Sequence, residues 1–189
     1  YFDLPIQHAS SKVLAKMNRR GDAAVLRTLI ERIRRQVPNA IIRTTLIVGF
    51  PGETEEDFTK LLNFVNDVKF DHLGAFTYSK EEGTAAYRMK NQVPDGVKKE
   101  RLERLMQAQR HFSYQRNKVH IGEIMTGIVT EYDKKHNQYL LRSYWNAPDD
   151  IDGKITFKSE RILREGQIVH VKITGAFIYD LDGEHVILD

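Results

Sequence analysis

Three short stretches hold the residues whose chemistry stands out. Gln7-His8-Ala9-Ser10 follows an apolar run and sets an amide that both donates and accepts near a hydroxyl able to cap a helix or bind a ligand. The alternative for this stretch is a helix cap plus a surface His. Gly49-Phe50-Pro51-Gly52-Glu53-Thr54 has two glycines that allow close backbone approach, just before a helix whose free N–H groups suit an anionic ligand atom. An ordinary structural turn reads the same way. Tyr78-Ser79 through Gly83-Thr84 offers an aromatic ring and backbone amides to a base, or is a plain loop. Arg43 and Thr45 alternate with apolar neighbours, so they share one face of a strand, and burying Arg43 demands an anionic partner. Further on, Arg142, Tyr144 and Trp145 form a candidate stacking or peptide-gripping patch, with core packing of Trp145 as the alternative.

Other chemistries are excluded within these residues. The chain has no Cys, so it holds no thiol nucleophile, disulfide or cysteine-ligated zinc or iron–sulfur site. Its seven His show no ligand spacing such as His-Glu-x-x-His, which leaves them surface or packing roles. Glu55, Glu56 and Asp57 sit at a helix start, where the macrodipole favours acids, and read as capping rather than catalysis. No catalytic residue and no metal ligand is assigned.

The elements that position these stretches follow from periodicity. Residues 1–119 alternate β-like and helical runs, the pattern of parallel βα units. Phe2 to Gln7 is a first strand; Ser10 and Ser11 can cap a short helix, and Asp22 a second one with Val25, Leu26, Leu29, Ile30 and Ile33 at helical spacing. Ala40 to Val48 is a second strand, and Thr54 with Asp57 makes a capping box for a helix holding Phe58, Leu61, Leu62 and Val65. The third strand lies near His72 to Tyr78. Pro94 and Asp95 open a long helix with Leu102, Leu105, Met106 and Gln109 on one face and Lys98, Lys99, Arg101 and Arg104 solvated on others. From Gly122 onward five short strands are expected: Glu123 to Tyr132, Gln138 to Ser143, Lys154 to Phe157, Ile168 to Ile178 and His185 to Leu188. Such strands suggest a small closed barrel of the oligonucleotide-binding type, with a domain boundary near residue 120. Three βα units leave sheet edges and one face uncovered, and an eight-unit barrel takes about 250 residues, so residues 1–119 fit the second part of a larger barrel, with a compact three-stranded sheet standing alone as the alternative.

At 189 residues, 41% apolar and 29% charged, the chain is built to bury a core. No run approaches the roughly 18 apolar residues of a membrane span, and no signal peptide pattern is present. The first residue, Tyr1, lies in a strand already under way, as expected of a piece of a longer protein. The net charge of +3 divides unevenly: residues 1–119 carry 21 Lys and Arg against 14 Asp and Glu, and residues 120–189 carry 8 against 12. An acidic second half suits a basic protein better than a phosphate backbone.

Longer strings carry a resemblance. Leu4-Pro5-Ile6-Gln7-His8-Ala9-Ser10, Met17-Asn18-Arg19-Arg20-Gly21 and Ile47-Val48-Gly49-Phe50-Pro51-Gly52-Glu53-Thr54-Glu55-Glu56-Asp57-Phe58 together resemble the radical S-adenosylmethionine methylthiotransferases. Phe76-Thr77-Tyr78-Ser79, Glu82-Gly83-Thr84 and the terminal five strands are similar to that family's later barrel and its TRAM domain. One branch of the family modifies transfer RNA, and another an aspartate of a small-subunit ribosomal protein. Gln7-His8-Ala9-Ser10, Arg142-Ser143, Ala147-Pro148-Asp149-Asp150-Ile151-Asp152-Gly153 and Tyr179-Asp180-Leu181 resemble the second branch.

The resemblance implies an α/β fold: the second part of a TIM-like partial barrel in residues 1–119, then a five-stranded antiparallel TRAM barrel in residues 120–189. It implies a cytoplasmic transferase using S-adenosylmethionine and two 4Fe–4S clusters, in which a deoxyadenosyl radical takes hydrogen from an aspartate β-carbon before a methylthio group is installed. Without Cys this chain ligates neither cluster and is expected to be inactive alone. It would supply part of the S-adenosylmethionine pocket through Gln7, Ser10, Arg43, Thr45 and Gly49 at strand ends and Tyr78 near the adenine. Its acidic TRAM domain would meet a basic ribosomal protein through Arg142, Tyr144 and Trp145, with transfer RNA the weaker candidate and a non-enzymatic RNA-binding module a further one.

Overall fold

Parallel pairing requires a crossover between strands, and each crossover in the first part of the chain is helical. The computed structural model describes residues 1–148 and 151–188. Strand β1 (Phe2–Gln7) is followed by helices α1 (Ser11–Lys16) and α2 (Ala23–Gln36), then β2 (Ile42–Val48), α3 (Glu55–Val68) and β3 (His72–Thr77). The three strands pair in parallel in the order β1-β2-β3. A single 3-10 turn (Ala86–Arg88) precedes the long helix α4 (Asp95–Lys118).

Local chemistry sets the helix starts. The Asp22 carboxylate accepts from the N–H groups of Ala24 and Val25, and Thr54 and Asp57 exchange the reciprocal bonds of a capping box. α3 ends where Lys69 turns to φ +52. On β2, Ile42, Leu46 and Val48 point into a core shared with Ile30, Phe58, Leu61, Phe64, Val65, Phe70 and Leu105. Alternation therefore turns Arg43, Thr45 and Ile47 to the opposite face. There Phe76 of β3 is 59% exposed, so the helices cover one face of this sheet only.

The chain divides into two compact units, residues 2–109 and residues 110–189, the latter taking in Tyr1. The division falls inside α4, ahead of the change of texture near residue 120. The second unit contains β4 (Ile124–Asp133), β5 (Gln138–Arg142), β6 (Ile155–Lys158), β7 (Ile168–Ala176) and β8 (Leu181–Val186), closed in the order β4-β5-β6-β8-β7. Closure leaves the barrel without an edge. Four of the five pairings are antiparallel, but β6 and β8 run parallel, which corrects the wholly antiparallel expectation. β8 also begins at Leu181 rather than His185. The run Asp180-Leu181-Asp182-Gly183 has the composition of a turn, yet Leu181 pairs with Ile155 and Gly183 lies so close to the Lys172 carbonyl that a Cβ would come within 2.6 Å of it.

Helix α4 departs most from its sequence reading. Lys98 and Arg101, expected in solvent, are buried along with Gln109, Ser113 and Asn117. Spaced three or four apart with Leu105, they make a largely polar buried stripe, and an apolar period could not reveal it. Lys98 is paired with Asp95, Arg101 with Glu53, Gln109 donates to the Phe70 carbonyl, and Asn117 donates to the carbonyls of Phe177 and Ile178. Such groups are tolerated inside a protein only with partners of this kind.

Candidate functional site

The parallel register brings the three strand ends to one edge of the sheet. Gln7 is aligned with Leu46 and Val48 with Thr77, and the Tyr78 N–H donates to the Val48 carbonyl at 2.8 Å. Gln7, Ser10, Gly49 and Tyr78 therefore gather at the carboxyl end, where α/β folds place their chemistry. Gln7 holds φ +71, a left-handed conformation costly for a residue with a Cβ, where β1 shifts register against β2.

Ser10 is buried and committed. Its hydroxyl donates to Asp57 Oδ1 at 2.7 Å, while its N–H donates to His8 Nδ1 at 2.9 Å. His8, expected at a surface or in plain packing, is fully buried with Nε2 3.4 Å from Glu53 Oε2. Glu53 Oε2 accepts the Gly49 N–H at 2.7 Å, and Oε1 accepts from Arg101 at 2.8 Å. Arg101 reaches on to Glu55, which Arg104 also holds; hydrogen bonding by Arg104 lowers the Glu55 carboxyl below its ordinary value against the opposing effect of burial. Glu53 and Arg101 were not singled out from sequence. The usable signal was the acid four residues after Gly49, within reach of the turn's own N–H.

Gly49 and Gly52 both have positive φ, and a Cβ on Gly49 would come within 2.3 Å of Lys98 Cγ. Beside this turn Phe50 packs edge-on against Tyr78 at 5.2 Å, in a cluster with Val13, Met17, Ile47, Ala86 and Met89. Lys98 Nζ lies 5.5 Å from the centre of the Tyr78 ring. The Tyr78 hydroxyl is buried and has no hydrogen-bond partner among the described residues, an arrangement that a ligand heteroatom would relieve.

Arg43 and Thr45 do not join this group. Arg43 is the second residue of β2, opposite Asp3 and away from the carboxyl end. Its guanidinium meets both Asp3 oxygens at 3.1 Å and the Thr45 hydroxyl at 3.0 Å. Burial of Arg43 is thus compensated by Asp3, and the strand-end position expected for Arg43 and Thr45 is corrected: six residues of strand, about 20 Å, separate Arg43 from Gly49.

In the barrel unit Arg142, Tyr144 and Trp145 do not make one surface. Trp145 is 1% exposed, its ring edge against Gly153, so it packs inside and is corrected as a contact residue. The Tyr144 hydroxyl donates to Glu123 Oε1 at 2.6 Å; burial, then this carboxylate, push its pKa well above the ordinary phenol value. Arg142 makes no ion pair among the described residues and borders a polar cleft of about 290 Å³ with Thr130, Asn146 and Lys154. Asp149 and Asp150, part of the signature quoted above, lie outside the described residues. Among the described residues no group of three or more His, Asp or Glu could hold a metal ion, and no helix is long and apolar enough to cross a membrane.

Known proteins match both units. The Radical SAM superfamily matches residues 1–65, and the TRAM domain matches residues 121–186. The ribosomal protein uS12 methylthiotransferase RimO of Carboxydothermus hydrogenoformans is 47% identical over 98% of this chain and 42% of its own length. That of Pelotomaculum thermopropionicum is 48% identical over 99% of this chain and 42% of its own. The chain spans about two fifths of the length of the curated relatives it matches. The coproporphyrinogen III oxidase HemN of Escherichia coli, a radical SAM enzyme, aligns over 61% of this chain and 26% of its own at 24% identity and a TM-score of 0.46, too loose a likeness to add to the fold. With relatives 47% and 48% identical over 98% and 99% of its length, and a radical SAM match followed by a TRAM match, the chain belongs to the radical S-adenosylmethionine methylthiotransferase family, in the branch of the RimO proteins, as part of its radical SAM domain joined to its TRAM domain.

Proposed function

We propose that the protein containing this chain installs a methylthio group on the β-carbon of an aspartate in a small-subunit ribosomal protein, as its relatives' name for uS12 suggests, in the cytoplasm. Residues 1–119 serve S-adenosylmethionine and residues 120–189 serve the protein substrate. The carrying observation is the carboxyl edge of the sheet, where the buried, unpartnered Tyr78 hydroxyl stands beside Phe50 and the positive-φ Gly49 turn. This edge fits an adenosyl group: aromatic and apolar side chains for the base, and a hydroxyl in need of a hydrogen-bonding heteroatom. Bound S-adenosylmethionine, reduced through a 4Fe–4S cluster, supplies hydrogen-abstracting radical chemistry.

The chain's own residues bind and orient. Tyr78 and Phe50, packed edge-on against each other, line one side of the base, Gln7 presents its amide at the end of β1, and Gly49 lets the Lys98 stem pack close against the turn. Ser10 acts at one remove by holding Asp57 and the first turn of α3. With no Cys, the chain leaves the ligands of both clusters to the rest of the protein.

The acidic barrel favours a basic protein over transfer RNA, since RNA affinity rests on neutralising phosphates with Lys and Arg. Arg142 beside its polar cleft and Tyr144 remain contact residues in this reading. The test is capture of uS12 and of transfer RNA by the full-length protein across a salt series, with mass analysis of uS12 after reaction. Methylthiolated uS12 and retained capture support the reading, whereas tight, steeply salt-dependent transfer-RNA binding with unmodified uS12 overturns it.

A further inference from the structure

A buried ionic chain behind the sheet edge has no place among the ligand contacts just assigned. His8 Nδ1 accepts the Ser10 N–H, while Nε2 stands 3.4 Å from Glu53 Oε2, beside the carboxylate but without a hydrogen bond among the described residues. The same Glu53 oxygen accepts the Gly49 N–H, and its other oxygen takes Arg101, which also donates to the Glu53 carbonyl at 3.3 Å. The side chains of His8 and Glu53 are fully buried and that of Arg101 is 6% exposed, so solvent screens none of these contacts. Arg101 is held from a further side by Glu55 and lies over the Phe58 ring. Three segments far apart in sequence, the end of β1, the turn after β2 and the second turn of α4, thus converge on one carboxylate.

The turn needs such a hold. Gly49 at φ +75 and Gly52 at φ +78 are the two residues best able to leave this backbone conformation, and their flexibility would blur any ligand position built on the Gly49 backbone. Glu53 fixes the Gly49 N–H directly, and Glu53 in turn is aimed by Arg101, with the buried His8 ring set against its other oxygen. We propose that His8, Glu53 and Arg101 form a buried clamp that positions the Gly49–Gly52 turn, and that Arg101, a positioning residue on α4, thereby sets the affinity for S-adenosylmethionine. The ligand's identity rests on the function proposed above; the clamp does not.

The test uses the full-length protein and two conservative variants. Arg101→Lys keeps the charge but loses the planar fork, and His8→Asn keeps an acceptor for the Ser10 N–H but cannot extend to Glu53. The measurements are thermal unfolding, amide hydrogen exchange of a peptide covering residues 47–54, the S-adenosylmethionine Kd, and KM and kcat resolved separately. For Arg101→Lys, exchange in that peptide speeds up and Kd and KM rise by about tenfold, the usual effect of losing a supporting partner, while kcat and exchange in the barrel stay close to the parent. His8→Asn shifts the same quantities in the same direction by less. Unchanged exchange and Kd in Arg101→Lys overturn the proposal, as does exchange rising evenly over the whole protein, which marks a purely structural pair. Failure of the parent protein to bind S-adenosylmethionine overturns the functional reading instead, and the exchange comparison still decides the clamp.

Discussion

Ser10 and Asp57 meet through a 2.7 Å hydrogen bond across 47 residues of chain, fastening the segment after β1 to the first turn of α3. Burial penalises the charged form of Asp57. The Thr54 N–H, the Ser10 and Thr54 hydroxyls and Lys12 outweigh that penalty and hold the carboxyl well below the usual carboxylate range.

A carboxyl depressed on folding adds stability above its unfolded pKa, about 3.9, and loses it as pH falls towards the folded value. Asp57→Asn is therefore expected to be clearly less stable than the parent at neutral pH. The gap in urea midpoint narrows as pH drops below about 4. A gap that is constant with pH would show that the charge of Asp57 contributes nothing.

Gly49→Ala is predicted to destabilise more than Gly83→Ala. Both positions have positive φ, and each substitution carries a backbone cost of about 1–2 kcal/mol. Only at Gly49 does the new methyl meet another group, the Lys98 stem, whereas nothing lies within 4 Å at Gly83. Equal shifts in urea midpoint would mean that the Lys98 stem yields freely.

Gln109→Leu preserves volume but removes the donor to the Phe70 carbonyl, leaving that oxygen to be desolvated without its partner. A loss of about 1–3 kcal/mol is expected, against less than about 0.5 for the exposed neighbour Gln107→Ala. Chemical denaturation of both variants makes the comparison. A neutral Gln109→Leu would show that apolar contact alone seats this part of α4.

Trp145→Ala is expected to cost about 3–5 kcal/mol and to unfold the barrel before it alters any partner contact. Tyr144→Phe, which loses only the bond to Glu123, should leave the barrel folded. Circular dichroism melts separate the two. A folded Trp145→Ala variant with specific loss of partner binding would restore Trp145 as a contact residue.

Much of this molecule can be read from periodicity and capping chemistry. Phe2–Gln7 forms its strand as expected, Asp22 caps α2, and the Thr54–Asp57 box closes both of its bonds. Those signals are local. His8, Glu53 and Arg101 escaped because their meaning lies in which charges meet after folding: a His beside a polar stretch and an Arg amid solvated cations look ordinary until one buried carboxylate joins them. Trp145 illustrates the reverse, since neighbours in sequence near a strand end point to different environments and suggest a patch that folding does not assemble. Arg43 was legible in one respect, its need for an anion, but that Asp3 is this anion emerges only from the register of β1 against β2.

The polar stripe of α4 bears on how the helix is indexed. An apolar stripe adheres almost equally well after slipping by one turn, because one leucine substitutes for another. Gln109 finds the Phe70 carbonyl, and Arg101 finds Glu53, at a single axial and rotational setting. Moving α4 by the 5.4 Å of one helical turn would break both at once and strand a guanidinium and an amide in the interior. The helix thus works as a keyed shaft: exchanging its buried polar groups for leucines would preserve grip while erasing the key.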